Sequence, residues 1–459
     1  MATIFINILL WFKRLFGIIP RKSDIVQTEQ NRYSETYRST SEPVNITAVV
    51  ALKLSNIVCT EAKIEVRPKS KSNDTLLISN PRIDFLNTTL QRIVEELDVI
   101  TMRALGIGGV IIKPYMYNGQ IYTDILPQNR FFVVEKVGKI IRKAGFVADY
   151  IKNDNSFSSD EYIRYEYHTL DESGLYVIEN RAVKNSIEIP LTDVPDWSEI
   201  PPVITINGVS QMLFAFIRCP IDNRKTDLNS VDSFYGVPVT FGQELNTAAV
   251  NKLLNEIPDE YINKKAFIGA DDLLFNKDDK LPQSGLYKLF RSGGRVDTQS
   301  FWEVFSPEIR YMAYFDGVDR YLGLIEKSIG LNRGILTDLI TGNATATEVK
   351  YGKFDTEAFA DRVHKNIETA FRQLVYAFNV FANAFNLSPS SSVDYEVNFD
   401  WSNWSEDSTE RWAQLMQGQS AGAVNGYELR QYIFDEDKYT AVQNMPEQIA
   451  NTPPLLAGE

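Results

Sequence analysis

Two long amphipathic helix patterns between residues 306 and 387 constrain the fold more than any other feature of the sequence. Ser306 can cap the first helix, Pro307 suits its first position, and Glu308 favours the positive end of its dipole. The second pattern opens with Thr345-Ala-Thr-Glu348, a capping box that satisfies two backbone amides. Its apolar stripe consists of Val349, Phe359, Val363, Ile367, Phe371, Leu374, Phe378, Phe381 and Phe385. Roughly forty residues of helix would span on the order of 60 Å, which is typical of a strut in a large assembly.

The stretch between these helices, residues 331–344, has two interpretations. It carries residues that favour turns and so predict an exposed connection: Asn332, Gly334, Gly342 and Asn343. It also carries apolar residues that are unusual in a purely solvated loop: Ile335, Leu336, Leu339 and Ile340. The second interpretation is a loop that touches something moving past it, and the pattern alone leaves both open.

The rest of the chain mixes helix and strand patterns. In chain order these are a helix and a short strand at 46–66, a helix at 82–106, strands between 109 and 188, a helix at 236–264 that Pro258 would kink or interrupt, a strand-and-turn module at 266–305, a strand at 393–399 and helical segments to about 444. The mixture predicts an α+β fold. A chain of 459 residues is long enough for several domains.

The chain is acidic, with a formal net charge of −13. A protein that grips duplex DNA tightly would normally present a basic face, and none is obvious here. Acidity can simply provide solubility, or it can give a conduit a wall to which phosphate does not adhere. Cys59 and Cys219 lie far apart in sequence, which favours buried apolar roles and a reducing cytoplasm over a disulfide.

The residue patterns give little sign of catalysis. The sequence contains no Gly-x-x-x-x-Gly-Lys-[Ser/Thr] loop for ATP, and the glycines at 106, 108 and 109 predict a turn rather than a dinucleotide site. His168 and His364 are too dispersed to suggest a zinc site or a nucleophile–base pair. The acidic pairs at 271–272 and 278–279 predict exposed turns rather than metal ligands. We therefore expect no enzyme activity, no cofactor and no metal.

The N-terminal segment contains an apolar run, residues 4–12, followed by Lys13 and Arg14. A membrane-spanning helix needs about twenty apolar residues, so the run is too short. A signal peptide would carry its basic residues before the apolar run. An amphipathic helix or an arm docking on a neighbouring subunit is the favoured interpretation, and membrane contact is the lesser one.

Four segments, in the same order, resemble the portal proteins (head-to-tail connectors) of tailed bacteriophages. They are Tyr37-Arg-Ser-Thr40 with the helix and strand of 46–66, the run Ala104-Leu-Gly-Ile-Gly-Gly-Val-Ile-Ile-Lys-Pro-Tyr115 followed by Leu126-Pro-Gln, the run from Tyr321-Leu-Gly-Leu-Ile-Glu-Lys-Ser-Ile-Gly-Leu331 through Thr345-Ala-Thr-Glu-Val349 into the long helix, and Ala421-Gly-Ala-Val-Asn-Gly-Tyr-Glu-Leu-Arg430. No single motif is highly specific, but the order and spacing of all four together are.

This resemblance implies a portal-type subunit with a domain plan. The implied regions are an N-terminal arm (1–40), an α/β wing (41–232), a stem helix (233–264), a small α/β clip (265–305), a second stem helix (306–330), a tunnel loop (331–345), a long wing helix (346–387), a C-terminal wing or crown region (388–445) and a flexible tail (446–459). In such a protein the tunnel loop contacts DNA, and Arg333, Asp338 and Asn343 are its candidate residues. The clip meets the terminase and connector proteins, and its candidate residues are Asp271, Asp272, Lys288, Arg291 and Arg295.

The resemblance also implies partners and a location. The subunits would form a ring, expected to be a dodecamer, at one vertex of the virion after assembly in the host cytoplasm. Double-stranded DNA would enter and leave through the ring during packaging and genome ejection. The large terminase subunit, major capsid and scaffolding proteins, and a head-completion or adaptor protein would bind it. The alternative is an acidic capsid-associated or membrane-docking adaptor without a DNA channel.

Overall fold

The computed structural model describes residues 28–69, 80–155, 158–263, 266–271, 287–292, 302–305, 308, 310–337, 346–389, 394–401, 408–434 and 438–445. The chain divides into two compact units, residues 1–401 and 402–459. Helices and mainly antiparallel sheets occur together, which confirms the predicted α+β class.

The described residues contain the following helices: α1 (Thr28–Arg38), α2 (Ile46–Cys59), α3 (Pro81–Val94), α4 (Leu97–Ile107), α5 (Glu244–Asn263), α6 (Tyr311–Ile329), α7 (Ala346–Ala384), α8 (Ser408–Ser420), α9 (Gly426–Phe434) and α10 (Lys438–Gln443). Their strands are β1 (Lys63–Pro68), β2 (Gly109–Tyr117), β3 (Gln120–Pro127), β4 (Phe131–Val137), β5 (Ile140–Asn155), β6 (Ser158–Leu170), β7 (Tyr176–Lys184), β8 (Ile187–Ile189), β9 (Val203–Ile206), β10 (Ala215–Arg218), β11 (Ala266–Asp271), β12 (Tyr287–Ser292), β13 (Trp302–Phe305) and β14 (Tyr395–Asp400).

The strands form four sheets. The largest has the order β4-β5-β6-β7-β8, with β9 also paired to β7. Three-stranded sheets have the orders β10-β2-β3 and β12-β11-β13, and β1 pairs with β14. Pairing is antiparallel throughout these sheets except between β11 and β12, which run parallel.

The long helix α7 forms the centre of the main core. Its 39 residues confirm the predicted long helix, and the predicted apolar stripe is buried at Phe359, Val363, Ile367, Phe371, Leu374, Phe378 and Phe381. The stripe packs among α2, α3, β2, β10 and β14. Arg82 of α3 holds the end of α7, because its guanidinium donates to Asn383 Oδ1 (2.7 Å) and to the carbonyl of Ser388 (2.8 Å). One helix thereby ties together elements that are far apart in sequence.

Two predicted helices have different bounds in the structure. The helix expected over 82–106 is two helices, α3 and α4, which are separated at Glu95 and Glu96. The helix expected from residue 236 begins only at Glu244: Gly236 makes a tertiary contact, and Gly242 has a left-handed backbone (φ 80°) that a helix does not contain. A Cβ on Gly236 would lie 1.8 Å from the carbonyl oxygen of Gly108, so the two backbones touch directly.

The course of α5 at Pro258 and the two ends of α6 can also be compared with the prediction. Helix α5 continues through Pro258 to Asn263, so this proline does not end the helix. The predicted start signals of α6 at Ser306 and Pro307 lie outside the described residues, and the described helix begins at Tyr311. Gly330 ends α6 in the left-handed conformation (φ 82°), as its position predicted.

The second unit contains α8, α9 and α10. At the start of α9, the backbone amide of Asn425 donates a hydrogen bond to the side-chain carboxylate of Glu428 (Oε2, 2.8 Å). Trp412 of α8 stacks on Tyr432 of α9, with ring centroids 6.5 Å apart. The helical segments predicted for this part of the chain are confirmed.

Candidate functional site

Helices α5 and α6, which precede and follow the β11–β13 module in the chain, pack against each other as an antiparallel pair. Arg310, at the start of α6, contacts Glu260 near the end of α5 through two nitrogens, at 3.1 Å each. Further along, Gly317 leaves room for Leu253, whose Cδ1 would lie 3.0 Å from a Cβ at that glycine. The Arg310 guanidinium holds the pKa of Glu260 below its usual value. The two helices are thereby fixed to each other at the point where the chain enters and leaves the module.

The same helix pair exposes large apolar side chains. Leu245 of α5 is 87% exposed, and α6 exposes Tyr311, Met312 and Phe315 near its start. Scattered apolar residues are common on protein surfaces, but three within one and a half turns of one helix form a continuous patch. This patch lies at the start of α6, the part of the helix that follows the module in the chain.

The loop after α6 is anchored by a buried carboxylate. Glu326 is 1% exposed, and its Oε1 accepts hydrogen bonds from the amides of Leu336 (2.6 Å) and Thr337 (3.1 Å). Its Oε2 accepts from the hydroxyl of Thr337 at 3.0 Å. A carboxylate in the last turn of a helix lies at the negative end of the dipole, so these donors offset an unfavourable position. The carboxylate folds residues 331–337 back onto α6.

A second contact joins this loop to α7. The amide of Asn332 donates to Thr356 Oγ1 at 2.9 Å, and Thr356 is fully buried. Leu331 is buried in the core, and Ile335 and Leu336 pack against it from the side. This packing explains Ile335 and Leu336 without reference to a partner, whereas Leu339 and Ile340 lie outside the described residues. The sequence alone could not decide this, because α6 and α7 both contribute to the site.

Arg333 lies on this anchored segment and is partly exposed. Its Nη2 lies 3.2 Å from Asp319 Oδ2 of α6, and the two side chains are 54% and 41% exposed. Of the other two residues predicted for this loop, Asp338 and Asn343 both lie outside the described residues. The structure therefore places one of the three predicted loop residues.

Three of the residues predicted to bind terminase or connector proteins lie on strands of the β11–β13 module. Asp271 ends β11, and Lys288 and Arg291 belong to β12. Asp272 and Arg295 lie outside the described residues, as does the acidic pair at 278–279. The parallel pairing sets Phe267 opposite Lys288 and Ala270 opposite Arg291.

A buried polar network in the large sheet was missed by the sequence analysis. Lys113 of β2 lies 2.9 Å from Glu166 Oε1 of β6, and Glu166 accepts from His168 Nε2 at 2.7 Å. His168 Nδ1 lies 2.6 Å from the hydroxyl of Tyr176, which accepts from the amide of Leu213. Because the Tyr176 hydroxyl accepts from the amide of Leu213, it can donate its own proton to Nδ1 of His168. Nε2 is then the protonated nitrogen and donates a hydrogen bond to Glu166. The network joins two sheets.

Charge and burial set the protonation states in this network. Burial lowers the pKa of His168, so the imidazole stays neutral. Burial opposes ionisation of Glu166, but Lys113 and His168 together hold its pKa below the usual value. A signal was present in the sequence: Arg164, Glu166 and His168 alternate with apolar and aromatic residues along β6, which places them on one face.

Neither cysteine has the environment of a reactive thiol. Burial raises the pKa of Cys59 to about 11 and that of Cys219 to about 12, and both are free. The predicted turn is confirmed at Gly108, which connects α4 to β2 in the left-handed conformation, while Gly106 belongs to α4 and Gly109 to β2. His364 stacks on Trp401 with centroids 4.0 Å apart, inside the first unit. These residues have structural roles.

Within the part of the chain that the structure describes, no group of three or more His, Cys, Asp or Glu residues could hold a metal ion. Among the described helices, none combines the length and apolar character that crossing a membrane requires.

No family model and no curated protein sequence matches the chain. Among solved structures, the chain is similar to one described as the neck of an empty GTA particle computed with C6 symmetry. The sequence identity is 11% and the TM-score is 0.38, with 91% of this chain and 94% of that chain covered. A likeness of that size does not define a function.

Proposed function

We propose that the chain is a portal-type subunit, whose copies form a closed ring around an axial channel for double-stranded DNA at one vertex of a virion. The observation that carries the proposal is the succession of α5, the β11–β13 module, α6, an anchored loop and the 39-residue helix α7. The sequence resemblance implies that same succession as stem helix, clip, second stem helix, tunnel loop and wing helix. The role is one of assembly and conduction rather than catalysis.

The exposed apolar patch on α6 supports a ring. A single 52.2 kDa subunit is too small to enclose a duplex, so a channel needs cyclic symmetry with head-to-tail interfaces. Each side chain such as Met312 or Phe315 contributes about 1.5–3 kcal/mol when it moves from water into a fully buried contact. A neighbouring copy that covers this patch would therefore gain several favourable contacts at once.

The test is to image the purified protein by negative-stain electron microscopy and to weigh it by mass photometry. Closed rings with an axial opening are expected, and Phe315→Glu should prevent them because it places a charge in the interface. Ile187→Glu is the matched control, since Ile187 is equally exposed but lies in the β7–β8 hairpin. A sample that contains monomers and dimers but no rings at micromolar concentration would contradict the proposal.

The module between α5 and α6 is the proposed docking site for the terminase motor. Replacing residues 265–305 by a short linker should leave the subunit folded, because Arg310 and Glu260 still join the ends of the two helices. Packaging by such rings should be lost, together with terminase binding in a pull-down. Terminase binding that survives the deletion would move the docking site elsewhere.

A further inference from the structure

The backbone around Arg333 is held in place on both sides. The amide of Asn332 donates to Thr356, and the amide of Gly334 donates to Thr337 Oγ1 at 3.1 Å. The amides of Leu336 and Thr337 donate to Glu326. Fixed backbone positions presented by helices place a side chain more reproducibly than a free loop does. The guanidinium of Arg333 can therefore change partner while its Cα stays where it is.

The partner that Arg333 has in the structure is weakly bound. The ion pair with Asp319 is a single contact at 3.2 Å between two exposed side chains. A strong arginine–carboxylate pair would be bidentate and desolvated. An exposed single contact of this kind shifts an equilibrium by only about two- to five-fold. It is strong enough to neutralise the guanidinium and weak enough to exchange with another anion.

We propose that Asp319 competes with DNA phosphate for Arg333, so that this carboxylate sets how strongly the loop grips the duplex. The inference rests on the proposed function, since it takes Arg333 to face the DNA. A phosphate that reaches Arg333 must first displace the Asp319 carboxylate from the guanidinium. When the phosphate leaves, the carboxylate re-forms the ion pair, so the guanidinium is never left without a counter-charge. A polymer can then move past the loop without being held.

This arrangement predicts effects of opposite sign at the two ends of one ion pair. Asp319→Asn frees the guanidinium and should tighten DNA binding. Arg333→Ala removes it and should weaken binding. In the double variant, the asparagine should have no further effect, because its action passes through Arg333. Asp316→Asn is the matched control, since it removes the same charge three residues earlier on the same helix.

The experiment measures binding of a short duplex DNA to purified rings by fluorescence anisotropy across a salt series. For Asp319→Asn we expect at least a two- to five-fold gain in affinity over the Asp316→Asn rings, the range for one exposed pair. The slope of log affinity against log salt should steepen by about 0.9 for each phosphate newly neutralised. Arg333→Ala should change affinity and slope in the opposite direction.

Two results would overturn the competitor role and leave the ring intact. One is equal binding by the Asp319→Asn and Asp316→Asn rings, which would mean that only the net charge matters. The other is tighter binding that persists in the double variant, which would place Asp319 against DNA independently of Arg333. Failure of the wild-type protein to form rings would instead overturn the proposed function, and the competitor role with it.

Discussion

Removing the carboxylate of Glu326 should release the loop that follows α6. In Glu326→Ala, the amides of Leu336 and Thr337 and the hydroxyl of Thr337 lose their acceptor. A buried polar group without a partner costs about 1–3 kcal/mol, so three such groups cost at least roughly 3 kcal/mol if the loop keeps its place. The loop can avoid that cost only by opening.

Glu326→Gln is the variant that separates charge from shape. Its side-chain oxygen can still accept from both amides, and its NH2 group meets Thr337 Oγ1, which can accept. The loss is then mainly the charge assistance of the hydrogen bonds, on the order of 1 kcal/mol. We therefore expect a graded series in which the glutamine variant lies between wild type and alanine.

Hydrogen exchange at the amides of residues 336 and 337 measures this local opening directly. At about 1.4 kcal/mol per factor of ten, the alanine variant should exchange on the order of a hundred-fold faster and the glutamine variant about five-fold faster. Amides in the middle of α7 serve as the internal control and should not change. Unchanged exchange at 336 and 337 in the alanine variant would refute the anchoring role of Glu326.

Three further predictions concern the first unit and are measured by denaturant unfolding. Because burial lowers the pKa of His168, the unfolded chain binds a proton below about pH 6.5 that the folded chain does not, so stability should fall from pH 7.5 to 5.5, and His168→Gln should flatten that slope relative to wild type. Phe371→Ala should cost about 3–5 kcal/mol through a core cavity, whereas the exposed Phe354→Ala should cost far less; equal losses would contradict the assigned core. Lys113→Met should cost up to about 3–5 kcal/mol because it removes the buried cation of Glu166 and leaves this carboxylate with Arg164 (3.3 Å) and His168 as partners, and adding Glu166→Gln should recover part of the loss; no recovery would show that packing, not charge, dominates.

Periodic features of this fold could be predicted from the sequence. The stripe of α7 and the alternation of buried and half-buried residues along β7 recur every few residues, so a local window contains the whole signal. The turn at Gly108 and the end of α6 at Gly330 could also be predicted, because glycine adopts the left-handed conformation that both positions require.

Contacts between distant segments could not be predicted in the same way. In the sequence, Glu326 is one of several charged residues on an amphipathic helix. Its burial is explained only by the hydrogen bonds that it accepts from residues 336 and 337 of the following loop. The late start of α5 is accompanied by the contact of Gly236 with Gly108, which no periodicity of the sequence predicts. Lys113 of β2 and Glu166 of β6 are similarly separated in the chain by three strands, β3, β4 and β5. At the candidate loop, the sequence indicated Arg333 as a candidate residue for DNA contact but did not predict its ion pair with Asp319.

Helix α7 connects the loop that follows α6 to the opposite side of the first unit's core through one stiff element. At about 1.5 Å of rise per residue, the helix is a rod of nearly 60 Å. Thr356 near one end holds the loop through Asn332, and Asn383 at the other end is held by Arg82. A push on the loop therefore either breaks its hydrogen bonds to Thr356 and Glu326, or is carried along the rod to α3 and the β1–β14 pair. Stiffness of this kind lets a small displacement at one end be felt far away without any part of the core deforming.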